Sequence, residues 1–224
     1  MTDPRSKSET ISETCKAALI EKYIQIKYGR EKDIVSRFLQ KGTLAEEDSV
    51  TLLSRIRGQF YRKNKTNLKN RWLTGTPDLY EGDSIERAAV IYDIKTSWDI
   101  FTFWKAKTTQ INKDYYFQLQ SYMDLTGAKV AYLVYCLVNT PDVLIEAEKR
   151  KFAWNSQTVE NGQLCPEALA EIERLCVYDD IPLAERVHII RIDRSQDDID
   201  RLHARVEQCR VWMAETFTTA PEGE

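Results

Sequence analysis

One short segment constrains the fold of this 224-residue chain more than any other. Residues Ala88–Lys95 form a run of apolar and β-branched residues that ends in the triplet Asp93-Ile94-Lys95. Runs of this length and composition are typical of a buried strand. Because side chains alternate along a strand, Asp93 and Lys95 point to one side while Ile94 enters the core. The segment therefore predicts an anion and a cation side by side at a sheet edge.

Strand and helix patterns alternate along the rest of the chain. The most apolar run, 129–138, predicts a second strand, and 187–192 predicts a third. The polar stretch 60–73 predicts a hairpin that turns near Asn64. This order predicts an α/β fold with a central mixed β-sheet flanked by helices and with additional C-terminal helices. The apolar spacing predicts helices over 12–28, 44–57, 113–125, 142–153, 166–177 and 196–217.

The length suits one domain, so we interpret 1–224 as a single unit. Residues 1–11 contain little to bury and are expected to be disordered. The core is expected over about 40–195, with the terminal helix 196–217 packed on its own domain. The N-terminal residues resemble no secretory signal, and no stretch approaches the roughly 20 apolar residues of a membrane span, so a cytoplasmic location is expected.

Histidine and cysteine usage narrows the chemistry. The chain has two histidines, His188 and His203, which we interpret as surface or packing residues, so histidine-rich zinc sites and serine–histidine triads are disfavoured. The five cysteines are widely spaced without a C-x-x-C pair, which favours reduced thiols over a zinc ribbon or a redox motif. An enzyme of this composition must therefore use carboxylates and lysines.

Charge is distributed unevenly. Seven basic residues and no acidic one lie between Ser49 and Pro77, and the remainder of the chain carries 25 basic and 35 acidic residues. Such a segment is either a track for phosphates or a solvated hairpin with lysines on its edges. The seven residues are Arg55, Arg57, Arg62, Lys63, Lys65, Lys69 and Arg71.

A second carboxylate precedes the strand. Asp78 lies 15 residues before Asp93, across a turn at Gly82, and an antiparallel hairpin would bring the two together. Two converging carboxylates repel each other unless a cation lies between them, and Mg²⁺ prefers hard oxygen ligands. Lys95 beside that cation would hold or help deprotonate the attacking water and offset charge on the phosphoryl oxygens.

These residues form a pattern. Gly75-Thr76-Pro77-Asp78 with Asp93-Ile94-Lys95-Thr96-Ser97 resembles the PD-(D/E)XK nuclease superfamily, in the G-x-P-D and D-x-K-T-[ST] forms of its RecB-like and phage-exonuclease branches, the YqaJ and lambda-exonuclease types. Gln118 and Tyr122 match the Q-x-x-x-Y motif of those branches and share one helix face. Upstream, Gly42–Glu46 resembles their G-x-x-x-[HE] helix.

The resemblance implies a restriction-endonuclease-like core and a Mg²⁺-dependent DNA exonuclease in phage-type recombination or end processing, with Mn²⁺ expected to substitute. It implies metal ligands from Asp78, Asp93, the carbonyl of Ile94, and Glu46, with Glu47 as the alternative to Glu46. It makes Lys95 the catalytic lysine. Gln118 and Tyr122 would orient it or contact the DNA backbone, Thr96 would donate to a phosphate, and the basic segment would bind DNA.

Three functions remain open. The first is the exonuclease, with DNA as partner, a recombination or single-strand-binding protein as a further partner, and an oligomer allowed. The second is an endonuclease of the same superfamily, and the third is an inactive nuclease-like DNA-binding module, which the intact Asp78, Asp93 and Lys95 disfavour. The cysteine spacing does not suit the iron–sulfur cluster of the CRISPR-associated branch, and no P-loop motif is present.

Overall fold

The computed structural model describes residues 9–32, 36–154, 159–160 and 163–218. No helix within those ranges is long and apolar enough to cross a membrane. Short 3₁₀ turns cover Ile85–Arg87 and Leu183–Arg186. The helices are α1 (Glu13–Tyr28), α2 (Arg37–Leu44), α3 (Glu46–Arg57), α4 (Ile100–Thr108), α5 (Lys113–Thr126), α6 (Asp142–Ala153), α7 (Pro166–Cys176) and α8 (Gln196–Thr218). The strands are β1 (Leu68–Lys69), β2 (Thr74–Gly75), β3 (Leu79–Glu81), β4 (Val90–Thr96), β5 (Val130–Cys136), β6 (Val159–Glu160), β7 (Gln163–Leu164) and β8 (Val187–Asp193).

A four-stranded sheet in the order β3-β4-β5-β8 forms the centre. β3 and β4 are antiparallel, β4 and β5 are parallel, and β5 and β8 are antiparallel. The predicted mixed sheet is therefore confirmed, and β4 is one of its two inner strands. An inner strand has no free edge, so Lys95 does not protect an exposed strand edge.

Helices cover both faces of the sheet. On one face, α3 contributes Leu52 and Leu53 to a core that includes Ile94. On the other face, α5 contributes Leu119 and Met123 to a core around Ile91, Leu133 and Ile192. The alternation predicted for β4 is thus correct: Ile94 is buried beneath α3, and Asp93 and Lys95 face the α5 side.

Some local predictions differ from the structure. The predicted hairpin near Asn64 lies further along, with Leu68–Lys69 paired to Thr74–Gly75. The helix predicted from residue 44 begins at Glu46, because α2 occupies the preceding residues and the chain turns at Ala45. Residues 1–8 of the segment expected to be disordered lie outside the described residues, and Ile11 is buried.

The C-terminal helix packs within the chain. α8 lies against α5, where the Tyr116 hydroxyl donates to Asp198 at 2.7 Å. Gln120, which is fully buried, donates to the carbonyl of Asp193 and accepts from the amide of Ser195. α8 therefore supports α5, the helix that carries Gln118 and Tyr122.

Candidate active site

The two aspartates meet as the antiparallel hairpin predicts. The pairing of Leu79 with Tyr92 places Asp78 just beyond the last β3–β4 pair, next to the end of β4. There the backbone amide of Ile94 donates to Oδ2 of Asp78 at 2.7 Å. Asp93 lies beside this contact and is 1% exposed. The sheet itself therefore sets the relative position of the two carboxylates.

Asn64 positions the segment before β3. The backbone amide of this buried residue donates to the carbonyl of Asp78 at 2.7 Å, and its side-chain amide donates to the carbonyl of Pro77 at 2.9 Å. Its side-chain oxygen accepts from the amide of Thr66, which fixes the orientation of its own amide group. Sequence reasoning assigned Asn64 only to a turn, because the contact spans 13 residues and no local pattern marks it.

One ion pair and two hydrogen bonds connect Asp93 to α5. The ammonium of Lys95 lies 2.7 Å from Oδ2 of Asp93 and donates to Oε1 of Gln118 at 3.1 Å. The amide nitrogen of Gln118 donates to the hydroxyl of Tyr122 at 2.9 Å. The same ammonium lies 4.6 Å from the ring centre of Tyr115, a cation–π distance. Gln118 and Tyr122 thus hold the lysine in place.

Gly75 fits the same arrangement. A Cβ atom at this position would lie 2.6 Å from the Tyr122 ring, so only glycine allows the strand to approach α5 this closely. The first residue of the G-x-P-D motif therefore packs directly on the last residue of the Q-x-x-x-Y motif.

Burial and like charge raise the pKa values of the carboxylates. Burial, followed by the charge of Asp93, raises the pKa of Asp78 to about 6, although the amide of Ile94 opposes the shift. Burial also raises the pKa of Asp93, and Lys95 opposes it. Burial raises the pKa of Tyr122 to about 12, so its hydroxyl stays neutral at physiological pH. A concentrated set of acidic groups that resist ionisation marks a site suited to a cation.

Glu46 is the half-buried member of the acidic run at the start of α3, while Glu47 and Asp48 are exposed. Its charge raises the pKa values of both Asp78 and Asp93, so its carboxylate lies near the site. Its carboxylate forms an ion pair with Lys63. Among the described residues no three histidine, cysteine, aspartate or glutamate side chains form a group that could hold a metal ion. A ligand role for Glu46 stays a prediction.

Two observations nevertheless fit a hard cation at Asp78 and Asp93. Oδ2 of Asp93 is buried and ion-paired with Lys95, but no described group forms a hydrogen bond to it. The donor set offers carboxylate oxygens, which Mg²⁺ prefers. Ile94 directly follows Asp93 in the sequence, and its carbonyl remains the predicted backbone ligand.

The other predicted DNA-binding residues lie around this centre. The hydroxyl of Thr96 is hydrogen-bonded to that of buried Ser49 at 2.8 Å, which gives it a structural partner. Lys63 contacts the site indirectly, through its ion pair with Glu46. The remaining six basic residues make no described contact with the aspartates, but all seven are exposed: Arg55, Arg57, Arg62, Lys63, Lys65, Lys69 and Arg71.

A cavity of about 320 Å³ opens beside Lys95, between α2, α4 and α5. Its walls contain two lysines and no carboxylate, together with aromatic rings and hydroxyl and amide groups. Lys105 is the second lysine, and Trp98 and Tyr115 are among the rings. The volume is at the lower end of the roughly 300–1,000 Å³ typical of small-molecule sites, and the lining suits a planar ring joined to an anion.

Comparison with solved structures gives this arrangement a context. A phage-related exonuclease from Haemophilus somnus 129PT is 25% identical, with a TM-score of 0.71 over 97% of this chain and 90% of that chain. The chain has the fold of a phage-type exonuclease. An alkaline exonuclease from Laribacter hongkongensis has the same fold at 15% identity, with a TM-score of 0.62 over 92% of this chain and 83% of that one. The same alkaline exonuclease in complex with dAMP matches at 16% identity and a TM-score of 0.61.

No family model and no curated protein matches the sequence. The phage-exonuclease fold is therefore visible through structure and through the short motifs, and the predicted resemblance and fold class are confirmed. All five cysteines are free thiols, as expected: Cys15, Cys136, Cys165, Cys176 and Cys209.

Proposed function

We propose that this chain is a Mg²⁺-dependent DNA exonuclease that hydrolyses phosphodiester bonds. The observation that carries the proposal is the convergence of Asp78, Asp93 and Lys95 at the end of β4, with Lys95 held by Gln118. The fold it shares with a phage-related exonuclease over nearly the whole of both chains supports the same activity. A role in phage-type recombination or end processing follows from the motifs.

Asp78 and Asp93 would hold the metal, with the Ile94 carbonyl and Glu46 completing the set. When bound, Mg²⁺ supplies Lewis-acid polarisation of the phosphoryl group. Mn²⁺ is expected to substitute because it accepts the same oxygen ligands. Lys63 would then have to release Glu46, which it now pairs with at the surface.

The protein's own groups position the reaction. The Lys95 ammonium can hold a water molecule for in-line attack and offset the charge that develops on the phosphoryl oxygens. Gln118 accepts a hydrogen bond from this ammonium and so limits its movement. Tyr122 accepts from the amide nitrogen of Gln118, which turns the amide oxygen towards Lys95. The ordering of Lys95 before substrate arrives is the catalytic contribution of α5.

The cavity beside Lys95 supports an enzyme that acts at DNA ends. Its aromatic and basic lining, next to Lys95, suits one nucleotide at a DNA end. The exposed basic residues from Arg55 to Arg71 would bind the phosphates of the remaining DNA. An endonuclease of the same superfamily would instead need to admit continuous duplex to the carboxylates.

The test compares linear duplex DNA with covalently closed circular duplex, each incubated with the purified chain in Mg²⁺ or in EDTA. We expect Mg²⁺-dependent release of mononucleotides from linear DNA and no cleavage of closed circles. Asp93→Asn and Lys95→Met should each remove the activity. Ser121→Ala is a matched control, because Ser121 also lies on α5 but, within the described part of the chain, its hydroxyl bonds only to the carbonyl of Phe117.

Each alternative has its own signature in this assay. Nicking of closed circles would replace the exonuclease with an endonuclease. Binding of DNA without cleavage in Mg²⁺ or Mn²⁺ would identify an inactive nuclease-like module. Cleavage that persists in both Asp93→Asn and Lys95→Met would overturn the assignment of this site.

A further inference from the structure

The first and last described helices, α1 and α8, run side by side in the same direction. Arg205 on α8 donates to the carbonyl of Thr10, just before α1, at 2.9 Å. Further along, the rings of Tyr23 and Phe217 stack with centroids 3.8 Å apart. The two partners are 195 residues apart in sequence in the first contact and 194 apart in the second. The two helices therefore keep the same register along their length.

Two cysteines face each other within this register. The Sγ atoms of Cys15 and Cys209 are 3.5 Å apart, and both residues are half-buried, so a small reagent can reach them. The other three cysteines are buried: Cys136, Cys165 and Cys176. The α1–α8 contact thus holds the pair of thiols that is both close and accessible.

We propose that Cys15 and Cys209 are an oxidative modification site, at which a small-molecule disulfide converts the two thiols into an intrachain disulfide that links α1 to α8. The proposal is independent of the nuclease activity, because both cysteines lie on helices that contribute no residue to the carboxylate site. The contacts on either side, Arg205 with Thr10 and Tyr23 with Phe217, keep the two sulfurs opposite each other.

The geometry requires only a small adjustment. A disulfide bond is about 2.0 Å long, so the sulfurs must approach by about 1.5 Å. Rotation of the two side chains towards each other can supply this movement, since neither cysteine is fully buried. Side-chain contacts already join the two helices on either side of the pair.

The chemistry is two successive thiol–disulfide exchanges. The thiolate of one cysteine attacks a sulfur of the small disulfide, whose S–S bond breaks and releases one small thiol. The thiolate of the second cysteine then attacks the first cysteine's sulfur and releases the second small thiol. Two protein thiols are oxidised, and the reagent's disulfide is reduced to two thiols. Burial and the neighbouring Cys15 raise the pKa of the Cys209 thiol to about 11, so the reaction accelerates with pH.

The link should stabilise a weakly anchored helix. None of the α1 residues Glu13–Tyr28 is buried, so contacts such as those with α8 hold it in place. A bond between Cys15 and Cys209 closes a loop of 194 residues and removes conformational freedom from the unfolded chain. We expect the oxidised form to unfold at a temperature higher by roughly 5–10 °C.

The test incubates the purified full-length chain with oxidised glutathione or with dithiothreitol. Peptide mass mapping should find one crosslinked pair of peptides containing Cys15 and Cys209, and thiol titration should find three of the five thiols remaining. The rise in unfolding temperature should reverse on reduction. Cys15→Ser and Cys209→Ser should remove the crosslink and the rise, while Cys165→Ser, compared with its own reduced form, should retain both.

Several results would overturn the proposal. One is the survival of all five thiols at pH 8–9 in excess oxidised glutathione. Others are glutathione adducts that persist on Cys15 or Cys209 without a crosslink, a crosslink between two chains, or a link to a different cysteine. None of these readouts depends on DNA cleavage, so they leave the nuclease proposal untouched.

Discussion

The ammonium of Lys95 lies 2.7 Å from Oδ2 of Asp93, and Asp93 is almost completely buried on an inner strand. A carboxylate withdrawn from water is unstable unless a cation compensates it. Lys95 fills that role in this structure. The residue proposed to assist phosphodiester hydrolysis is thus also the residue that makes the buried carboxylate tolerable.

This dual role predicts that the second substitution of a double-mutant cycle restores stability but not activity. Lys95→Met should lower kcat at least about 100-fold and destabilise the metal-free protein by about 3 kcal/mol, because Asp93 is left uncompensated. Adding Asp93→Asn should restore most of the stability but none of the activity. Urea unfolding in EDTA measures the first quantity and mononucleotide release the second. Equal destabilisation in the single and double variants would show that the pair is not coupled.

Tyr122→Phe tests the positioning of Lys95 by α5. Removing the hydroxyl frees the Gln118 amide to rotate, so its oxygen no longer faces the ammonium reliably. We expect kcat to fall roughly tenfold with KM nearly unchanged, since only ordering of the lysine is lost. Gln118→Ala should lower kcat at least as much, and the double variant should lose little more activity than Gln118→Ala alone. If the effects of Tyr122→Phe and Gln118→Ala on kcat were fully additive in the double variant, the two residues would not act on Lys95 through one shared contact.

Two glycine substitutions provide a matched comparison. Gly75→Ala would place a methyl group 2.6 Å from the Tyr122 ring, which must move away from Gln118. We expect a loss of about 1–3 kcal/mol in stability and a lower kcat. Gly42→Ala lies in α2 with nothing within 4 Å, so it should be neutral or stabilise by up to about 1 kcal/mol. Thermal unfolding and mononucleotide release distinguish the two. An unchanged Gly75→Ala variant would exclude the tight fit.

Asp78→Asn should separate stability from activity. Burial raises the pKa of Asp78 from 3.8 to about 6, so the folded chain binds this proton more tightly than the unfolded chain does. Stability of the metal-free protein therefore falls as pH rises from about 4 to about 6, by up to roughly 3 kcal/mol. Asn carries no charge and can still accept from Ile94. The variant should be inactive yet more stable at pH 7 in EDTA, with a flatter pH profile.

Lys41→Met tests a buried lysine outside the site. Lys41 is 1% exposed, donates to the carbonyl of Trp98 at 2.7 Å, and has a pKa lowered from 10.5 to about 8 by burial. Between pH 8 and 10.5 the unfolded chain binds this proton more tightly, so stability rises with pH by up to roughly 3 kcal/mol. In Lys41→Met, urea unfolding across pH 7–10 should no longer show this rise of stability with pH. Parallel pH profiles for the two proteins would contradict the assignment.

Local rules explain why the centre of the site could be predicted. Alternation along one strand places Asp93 with Lys95, a hairpin brings in Asp78, and helical spacing aligns Gln118 with Tyr122. Each of these relationships acts over a few residues or one turn of chain. The order of strands and helices likewise predicted the mixed sheet.

Residues that act over long distances could not be predicted. Asn64 reaches Pro77, and Lys41 reaches Trp98 across 57 residues, and neither contact leaves a periodic pattern. α4 was missed because its apolar residues Phe101 and Trp104 are exposed, so no apolar stripe marks it. The interpretation of His203 as a packing residue agrees with its ring stacked on Trp72, although its bond to Asp124 was not foreseen.

The hydrogen bond from Ile94 to Asp78 has an evolutionary consequence. The pairing of β3 with β4 begins at Leu79, so no strand residue precedes it to bond the Ile94 amide. The Asp78 carboxylate accepts from that amide instead. One side chain thus serves both as a candidate metal ligand and as a rung of the sheet ladder. A descendant that abandoned catalysis while keeping this architecture should therefore drift towards Asp78→Asn and avoid Asp78→Ala, which would leave a main-chain amide of an inner strand unpaired.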